Sequence, residues 1–169
     1  MKKIILIFAA IVVLFTACDK GCKIKRPKDV KPIDWENYNE VYDVVRNYTD
    51  TKVSSDMGKT IKICGWIFQG PEGYYQLDPT NFRLCDNEKN IFDHNPYENG
   101  TAIYVKVPYH PDINYESFID SLNIKFATVD ITKKCYITGT LSYFGTPNNN
   151  CYWINPKILI TNANDISFK

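Results

Sequence analysis

Lys59-Thr-Ile-Lys-Ile-Cys-Gly-Trp-Ile-Phe68 is the stretch on which the fold turns. Its side chains alternate strictly. Ile61, Ile63, Gly65 and Ile67 share one face, while Lys62, Cys64, Trp66 and Phe68 share the other, the period-two pattern of a strand with one face toward a core. A second stretch, Lys133–Phe144, repeats the pattern with Cys135, Ile137, Gly139 and Leu141 inward. Each run carries a glycine in mid-strand, Gly65 and Gly139, where a small barrel must bend sharply.

Three further strands follow from the same alternation: Asn81–Asp86 with Phe82 and Leu84 inward, Thr101–Val107 with Ile103, Val105 and Val107 inward, and Tyr152–Ile160. Pro156 in the last has no N–H to donate, which points to an edge or a bulge. Gln69–Thr80 holds Gly70, Pro71, Gly73 and Pro79 and reads as a long connection with room for a short strand over Tyr74–Leu77. Asn87–Gly100 is polar and turn-rich. Two helices are expected. In Asp34–Tyr48 the apolar Tyr38, Val41, Val45 and Tyr48 recur at helical spacing between polar Asn39, Asp43 and Arg46, with Asp34 or Asn37 as cap. In Asn114–Leu122 the stripe is Tyr115, Phe118, Ile119 and Leu122. Five strands with a short helix between the third and fourth specify a mainly-β chain with an OB-fold-like five-stranded Greek-key barrel and an added N-terminal helix. No repeat and no second domain interrupts residues 34–169.

The segments Gly58-Lys-Thr-Ile-Lys-Ile-Cys-Gly-Trp-Ile and Cys135-Tyr-Ile-Thr-Gly-Thr-Leu-Ser-Tyr, followed by Ile154-Asn-Pro-Lys-Ile, resemble the tRNA-anticodon-binding-like OB family as it occurs in small exported bacterial lipoproteins. The resemblance spans Thr51 to Ile166 and rests on strands and glycines rather than on a catalytic signature. It implies an OB barrel. The family name does not imply that an exported member binds RNA.

OB barrels take ligands on the outer face of strands two and three and the loops beside it. The outward positions there and on strand one are Lys62, Trp66, Phe68, Arg83, Tyr104 and Lys106, aromatic rings interleaved with cations. Bases or sugar rings stack on such rings while the cations meet phosphate or carboxylate. The same face is also an available cover for the apolar stripe of the N-terminal helix, and both readings stand at the level of sequence. Cys64 and Cys85 belong to the outward set on neighbouring strands and are a candidate cross-strand disulfide. Cys135 points inward as a buried thiol.

At the N-terminus, Lys2 and Lys3 precede an unbroken apolar run, Ile4–Phe15, of signal-peptide length and too short to span a bilayer. Thr16-Ala17-Cys18 resembles the lipobox of bacterial lipoproteins, with Phe15 where an aliphatic residue is usual. This divides the chain into a signal peptide (1–17), a lipid-anchored linker (18–33) carrying its lipid on Cys18, and the domain (34–169). The 169 residues hold 20 basic and 19 acidic side chains, a balance that conceals a split. Residues 18–31 carry a net +4, with six basic against two acidic, and everything after Lys31 a net −5, with 12 against 17. The basic stretch reads as a solvated tether or as a stalk lying on anionic headgroups.

Aromatic residues make up 14% of the chain, which excludes a disordered polar polymer. The acidic body disfavours nucleic acid, since neutralising phosphates supplies most non-specific affinity. No catalytic triad motif, phosphate-binding glycine loop or zinc-type ligand spacing occurs, and His94 and His110 fall in loop-like segments. Asp78, Asp86, Glu88, Asp93 and Glu98 read as solvated loop carboxylates without Ca²⁺-loop spacing. The expectation is a non-enzymatic binding or adaptor module of the cell envelope, on the periplasmic face of either membrane or on the cell surface, without cofactor or metal. Its partners would be the membrane, through the lipid, and a protein or glycan; a structural accessory subunit of an envelope complex and an oligosaccharide- or oligonucleotide-binding domain are the alternatives. Radiolabelled palmitate is expected to enter the chain, and Cys18→Ala to abolish both labelling and globomycin-sensitive processing. Labelling that persists in the variant would remove the lipid anchor.

Overall fold

A computed structural model of the chain describes residues 29–48, 55–69, 77–91, 102–108, 115–144 and 155–169. The five expected strands are all present: β2 (Thr60–Ile67), β3 (Asn81–Cys85), β4 (Ala102–Lys106), β5 (Cys135–Phe144) and β6 (Asn155–Leu159). Two short strands join them, β1 (Asn39–Glu40) and β7 (Ile166–Phe168). The barrel runs β2-β3-β4-β6-β5 and closes where β5 pairs antiparallel with β2, from Thr60↔Thr140 to Gly65↔Cys135. β4 and β6 run parallel, as they must when the chain crosses over through a helix before β5 and then inserts β6 between β5 and β4. This is the OB-type order expected from the sequence.

The alternation of β2 and β5 fills the interior. Ile61, Ile63, Ile67, Leu84, Ile103, Val105, Ile137, Leu141 and Ile158 are fully or almost fully buried in one cluster. The two mid-strand glycines sit where each long strand changes its neighbour. On the edge of β2 away from β5, pairing with β1 ends at Cys64 and pairing with β3 begins at Trp66. On β5, pairing with β7 ends at Ile137 and pairing with β6 begins at Thr140. A Cβ on Gly65 would lie 2.6 Å from the Cys85 carbonyl oxygen and 2.7 Å from Val41 Cγ2; one on Gly139 would lie 2.7 Å from the Leu159 carbonyl oxygen and against Ile158. Glycine is required here for close backbone approach, and the bends are its consequence. Pro156 fits the same bookkeeping of neighbours. β6 is an interior strand and not an edge, but its pairing with β4 starts only at Lys157, so Pro156 faces β5 alone, opposite Tyr143.

The N-terminal helix is shorter than expected: α1 spans Val41–Tyr48. Residues 34–40 are held out of helix by their own side chains, a competition common to Asp and Asn. Asp34 Oδ1 accepts from the N–H of Glu36 and Asn37 at 2.9 and 3.1 Å. Asn39 is 6% exposed; its side chain accepts from Asp34 N–H and donates to the carbonyls of Asp34, Asn37 and Lys62. Asn39 thus stitches the incoming chain to β2, and β1 pairs parallel with it. Val41, Val45 and Tyr48 are buried as the stripe requires, joined by Val44, while Tyr38 stays 42% exposed with its ring edge-on to Tyr136. Val41 abuts Gly65, an inward position, so α1 packs into the barrel interior near the end of β3 and not onto the outer aromatic face.

Two polar residues of α1 itself are buried, Asp43, which the helical pattern places on the polar face, and Asn47. Asp43 Oδ1 accepts the Lys31 N–H at 2.9 Å, and Asn47 Nδ2 donates to the Lys31 carbonyl at 2.6 Å. With Tyr42 Oη donating to Asp29 Oδ2 at 3.1 Å, the chain makes hydrogen bonds to α1 from Asp29 onward. The second helix, α2 (Tyr115–Thr128), runs six residues past Leu122 because Phe126 continues the stripe of Phe118 and Leu122. Phe126 meets Phe82 and Phe168 edge-on, and Lys125 Nζ donates to the Ala163 and Ile166 carbonyls at 2.6 Å each, tying α2 to β7. The lipid-attachment position, the signal peptide, Asn114, His94, His110 and residues 74–76 of the short expected strand lie outside the described residues; Leu77 is in no strand.

Gly65→Ala and Gly139→Ala are each expected to cost about 1–3 kcal/mol through overpacking against backbone, with a corresponding fall in melting temperature. An unchanged melting temperature for either would show that the strands approach less closely than described.

Candidate functional site: the outer barrel face

Pairing register assembles the site. Phe68 N–H bonds to the Arg83 carbonyl at 2.9 Å, Arg83 stands opposite Tyr104, Tyr104 opposite Lys157, and Lys157 opposite Ser142. These residues form one row across β3, β4, β6 and β5, perpendicular to the strands. Arg83 carries its guanidinium over the Tyr104 ring, 4.7 Å from the centroid, and 5.9 Å from that of Phe68. Tyr104 meets Phe144 edge-on at 4.8 Å, and Lys157 Nζ lies 4.6 Å over Phe144. Cation and ring thus alternate along the row from Phe68 to Lys157, and Phe144, opposite Asn155 and so diagonal to Lys157, adds a further ring beside its end. Each contact is worth about 0.5–1 kcal/mol where water reaches it. Lys106 is exposed on the same face, two residues beyond Tyr104. The Lys157 ammonium is pushed below its usual value, first by burial and then by the charge of Lys106. At the β3 end the row borders a cleft of about 190 Å³ lined by Phe68, Leu77, Asp78, Asn81, Phe82, Arg83 and Tyr104. Asp78 is held in place there by accepting from the N–H and Oγ1 of Thr80 at 2.8 and 2.7 Å.

Four of the six residues singled out in the sequence meet in this row and its rim: Phe68, Arg83, Tyr104 and Lys106. Phe68 is buried and forms a wall, not an open stacking platform. Lys62 and Trp66 go elsewhere. Lys62 Nζ donates to the Glu36 carbonyl at 2.7 Å, and Trp66 is half-buried with Lys134 Nζ 4.7 Å over its ring. Lys134 is fixed in turn by both carboxylate oxygens of Glu40, at 2.8 and 3.0 Å. The incoming segment 34–40 thus engages the β2 half of the outer face. Neither simple alternative holds: the covering element is this segment rather than the helix, and it reaches only one half. Phe144 and Lys157 were not singled out, although both occupy outward alternate positions on their strands. The signal was legible in β5 and β6, which lie beyond the strands where OB barrels usually bind.

The Cys64–Cys85 disulfide expected from strand adjacency is not formed; both remain thiols. Register gives the reason. Cys85 stands opposite Trp66, and Cys64 stands between Tyr136 on β5 and Glu40 on β1, so the two cysteines are diagonal neighbours, too far apart to bridge without shifting backbone. Cys85 Sγ donates instead to the Trp66 and Asn87 carbonyls at 3.3 and 3.5 Å. Burial, and secondarily the Glu40 carboxylate, push the Cys64 thiol up to about 11, and burial pushes Cys135 up further still. Among the described residues no group of three or more His, Cys, Asp and Glu side chains is placed to hold a metal ion, and no helix is long and apolar enough to cross a membrane.

No protein-family model and no curated protein matches the chain. Among solved structures it is similar to a DUF3299 family protein from Pseudomonas aeruginosa, at 11% identity over 85% of this chain and 89% of that one, with a TM-score of 0.35.

A thiol whose pKa is higher folded than unfolded stabilises the fold fully below its unfolded value and loses that contribution as pH rises through the folded value. The melting temperature is therefore expected to decline from about pH 9 toward pH 11, and to decline less steeply in Cys64→Ala and Cys135→Ala. Equal slopes in wild type and both variants would assign the alkaline loss to other groups. Native alkylation at neutral pH should leave both thiols unmodified until the chain is unfolded.

Proposed function

We propose that this protein is a lipid-anchored, non-enzymatic binding module of the bacterial cell envelope that holds an extended partner across β3, β4, β6 and β5. The observation that carries the reading is the row of Arg83, Tyr104 and Lys157 with Phe144 beside it. It is a fixed alternation of cation and ring that starts on β3 and β4, the strands on which OB barrels take linear ligands, and extends past them onto β6 and β5. Strand ladders hold these side chains in register, so little conformational entropy is lost on binding. The N-terminal run ending at Thr16-Ala17-Cys18 supports the anchor, and the linker after it supplies reach. The body's net −5 argues against nucleic acid as the partner.

The test is equilibrium binding of the full chain in detergent to a panel of envelope polymers: neutral glycans, acidic glycans, peptidoglycan fragments and extended peptides. Tyr104→Ala should weaken whatever binds by about tenfold, the effect of losing one stacking contact of 1–3 kcal/mol, while the melting temperature falls by only a few degrees, from the loss of its contacts to Arg83 and Phe144. A partner that binds Tyr104→Ala as well as wild type would remove this face from the function.

A further inference from the structure

We propose that the ligand of this face is an acidic polysaccharide, with one carboxylated sugar seated in the cleft against Tyr104 and its carboxylate on Arg83, and the chain continuing across the strands toward Lys157 and Lys106. This rests on the face being the binding site and deepens that reading. Three observations carry it.

The first is charge. The body is acidic overall, yet Arg83, Lys106 and Lys157 place three cations on three adjacent strands. Lys106 and Lys157 form no ion pair with a carboxylate among the described residues. They crowd each other enough that Lys157 is held below its usual ammonium range, after the larger effect of burial. An anion placed between them relieves that repulsion, so complementarity favours a negatively charged ligand.

The second is shape. The cleft of about 190 Å³ has room for one ring, and combines an apolar side of Phe68, Leu77 and Phe82 with polar Asn81, the Asp78 carboxylate as an acceptor for sugar hydroxyls, and the Arg83 fork on the side where a ligand carboxylate would sit. A pyranose carries both an apolar C–H face for an aromatic wall and hydroxyls for an amide. Arg is the side chain whose planar fork matches a carboxylate in two hydrogen bonds. A flexible acidic peptide would bring carboxylates without a flat face for Tyr104 and Phe144.

The third is spacing. Arg83 and Lys157 stand on strands two apart in the sheet, about 10 Å, given roughly 4.8 Å between neighbours. In an extended polyuronate the carboxylates on one side recur at every second sugar, a comparable distance, and the row runs perpendicular to the strands as a linear chain crossing them would.

The experiment is calorimetric titration of the full chain in detergent, at one fixed salt concentration, with three probes of similar length: oligogalacturonate, neutral dextran oligosaccharide and oligo-dT. Oligogalacturonate is expected to bind at least about tenfold more tightly than either of the others. Arg83→Gln should cost about tenfold or more, the loss of a charge-assisted bond. Arg83→Lys should recover only part of it, because it restores the charge and not the fork. If Arg83→Gln disturbs folding, the double variant Lys106→Gln/Lys157→Gln, which alters one exposed and one half-buried side chain and removes their mutual repulsion, is expected to lose affinity for oligogalacturonate while the melting temperature changes by no more than a few degrees.

The inference is overturned by absence of oligogalacturonate binding, by equal affinity for dextran, by equal affinity for oligo-dT (an indifferent polyanion surface), or by affinity unaffected in both charge variants. A neutral glycan or peptide whose binding depends on Tyr104 would overturn the acidic-sugar assignment and leave the binding face standing. A panel in which no ligand responds to Tyr104→Ala would remove both.

Discussion

The structure depends on the antiparallel ladder between β2 and β5, from Thr60↔Thr140 to Gly65↔Cys135. It turns a sheet into a barrel and removes the two edges that would otherwise stay unpaired. Each strand of the pair serves two neighbours in turn along its other edge, and the handover falls at Gly65 in one and near Gly139 in the other. At those points the next backbone or its side chains come within 3 Å of where a Cβ would sit. Closure, curvature and the order of neighbours therefore share one physical requirement, the absence of a side chain at two positions.

A second constraint comes from buried polar groups. Asn39, Asp43 and Asn47 are each buried to within 7% exposure, and each makes hydrogen bonds with the backbone of the incoming chain. Burying such groups unpartnered would be costly, so the segment from Lys31 to Glu40 is bound to the domain rather than merely preceding it. This has a functional consequence. The same segment brings Glu36 to Lys62 and Glu40 to Lys134, and so occupies the β2 half of the outer face. The cation–aromatic row lies in the other half, on β3, β4, β6 and β5.

Much of the fold was legible because one-sided burial imposes a period of two. Isoleucines at 61, 63 and 67 and aliphatics at 137 and 141 leave little freedom in which face turns inward. In the segment 34–48 only Val41–Tyr48 is helical, against the period of its first turns. Tyr38 continued a helical period, while the Asp34 and Asn39 side chains, whose hydrogen bonds decide the matter, carry no periodic signal. β7 escaped notice because three residues are too few to show a period. The site was half legible: Arg83, Tyr104 and Lys106 come from alternation alone, but joining them to Lys157 and Phe144 requires knowing that β6 lies between β4 and β5.

The sequence by itself determined which residues face the core, that the barrel would have five main strands in the OB-type order, that two glycines mark its bends, and the split into a basic leader and an acidic body. These follow from local periodicity, composition and chain order, each read within a few residues. Only the tertiary structure decided that Cys64 and Cys85 are diagonal rather than opposed, that Lys62 and Trp66 belong with the N-terminal segment, and that Arg83, Tyr104 and Lys157 stand in one row. Those relations are set by register between strands distant in sequence, and a register shift of two residues, which keeps every side chain on its own face and so is invisible to the local alternation, would have exchanged every partner.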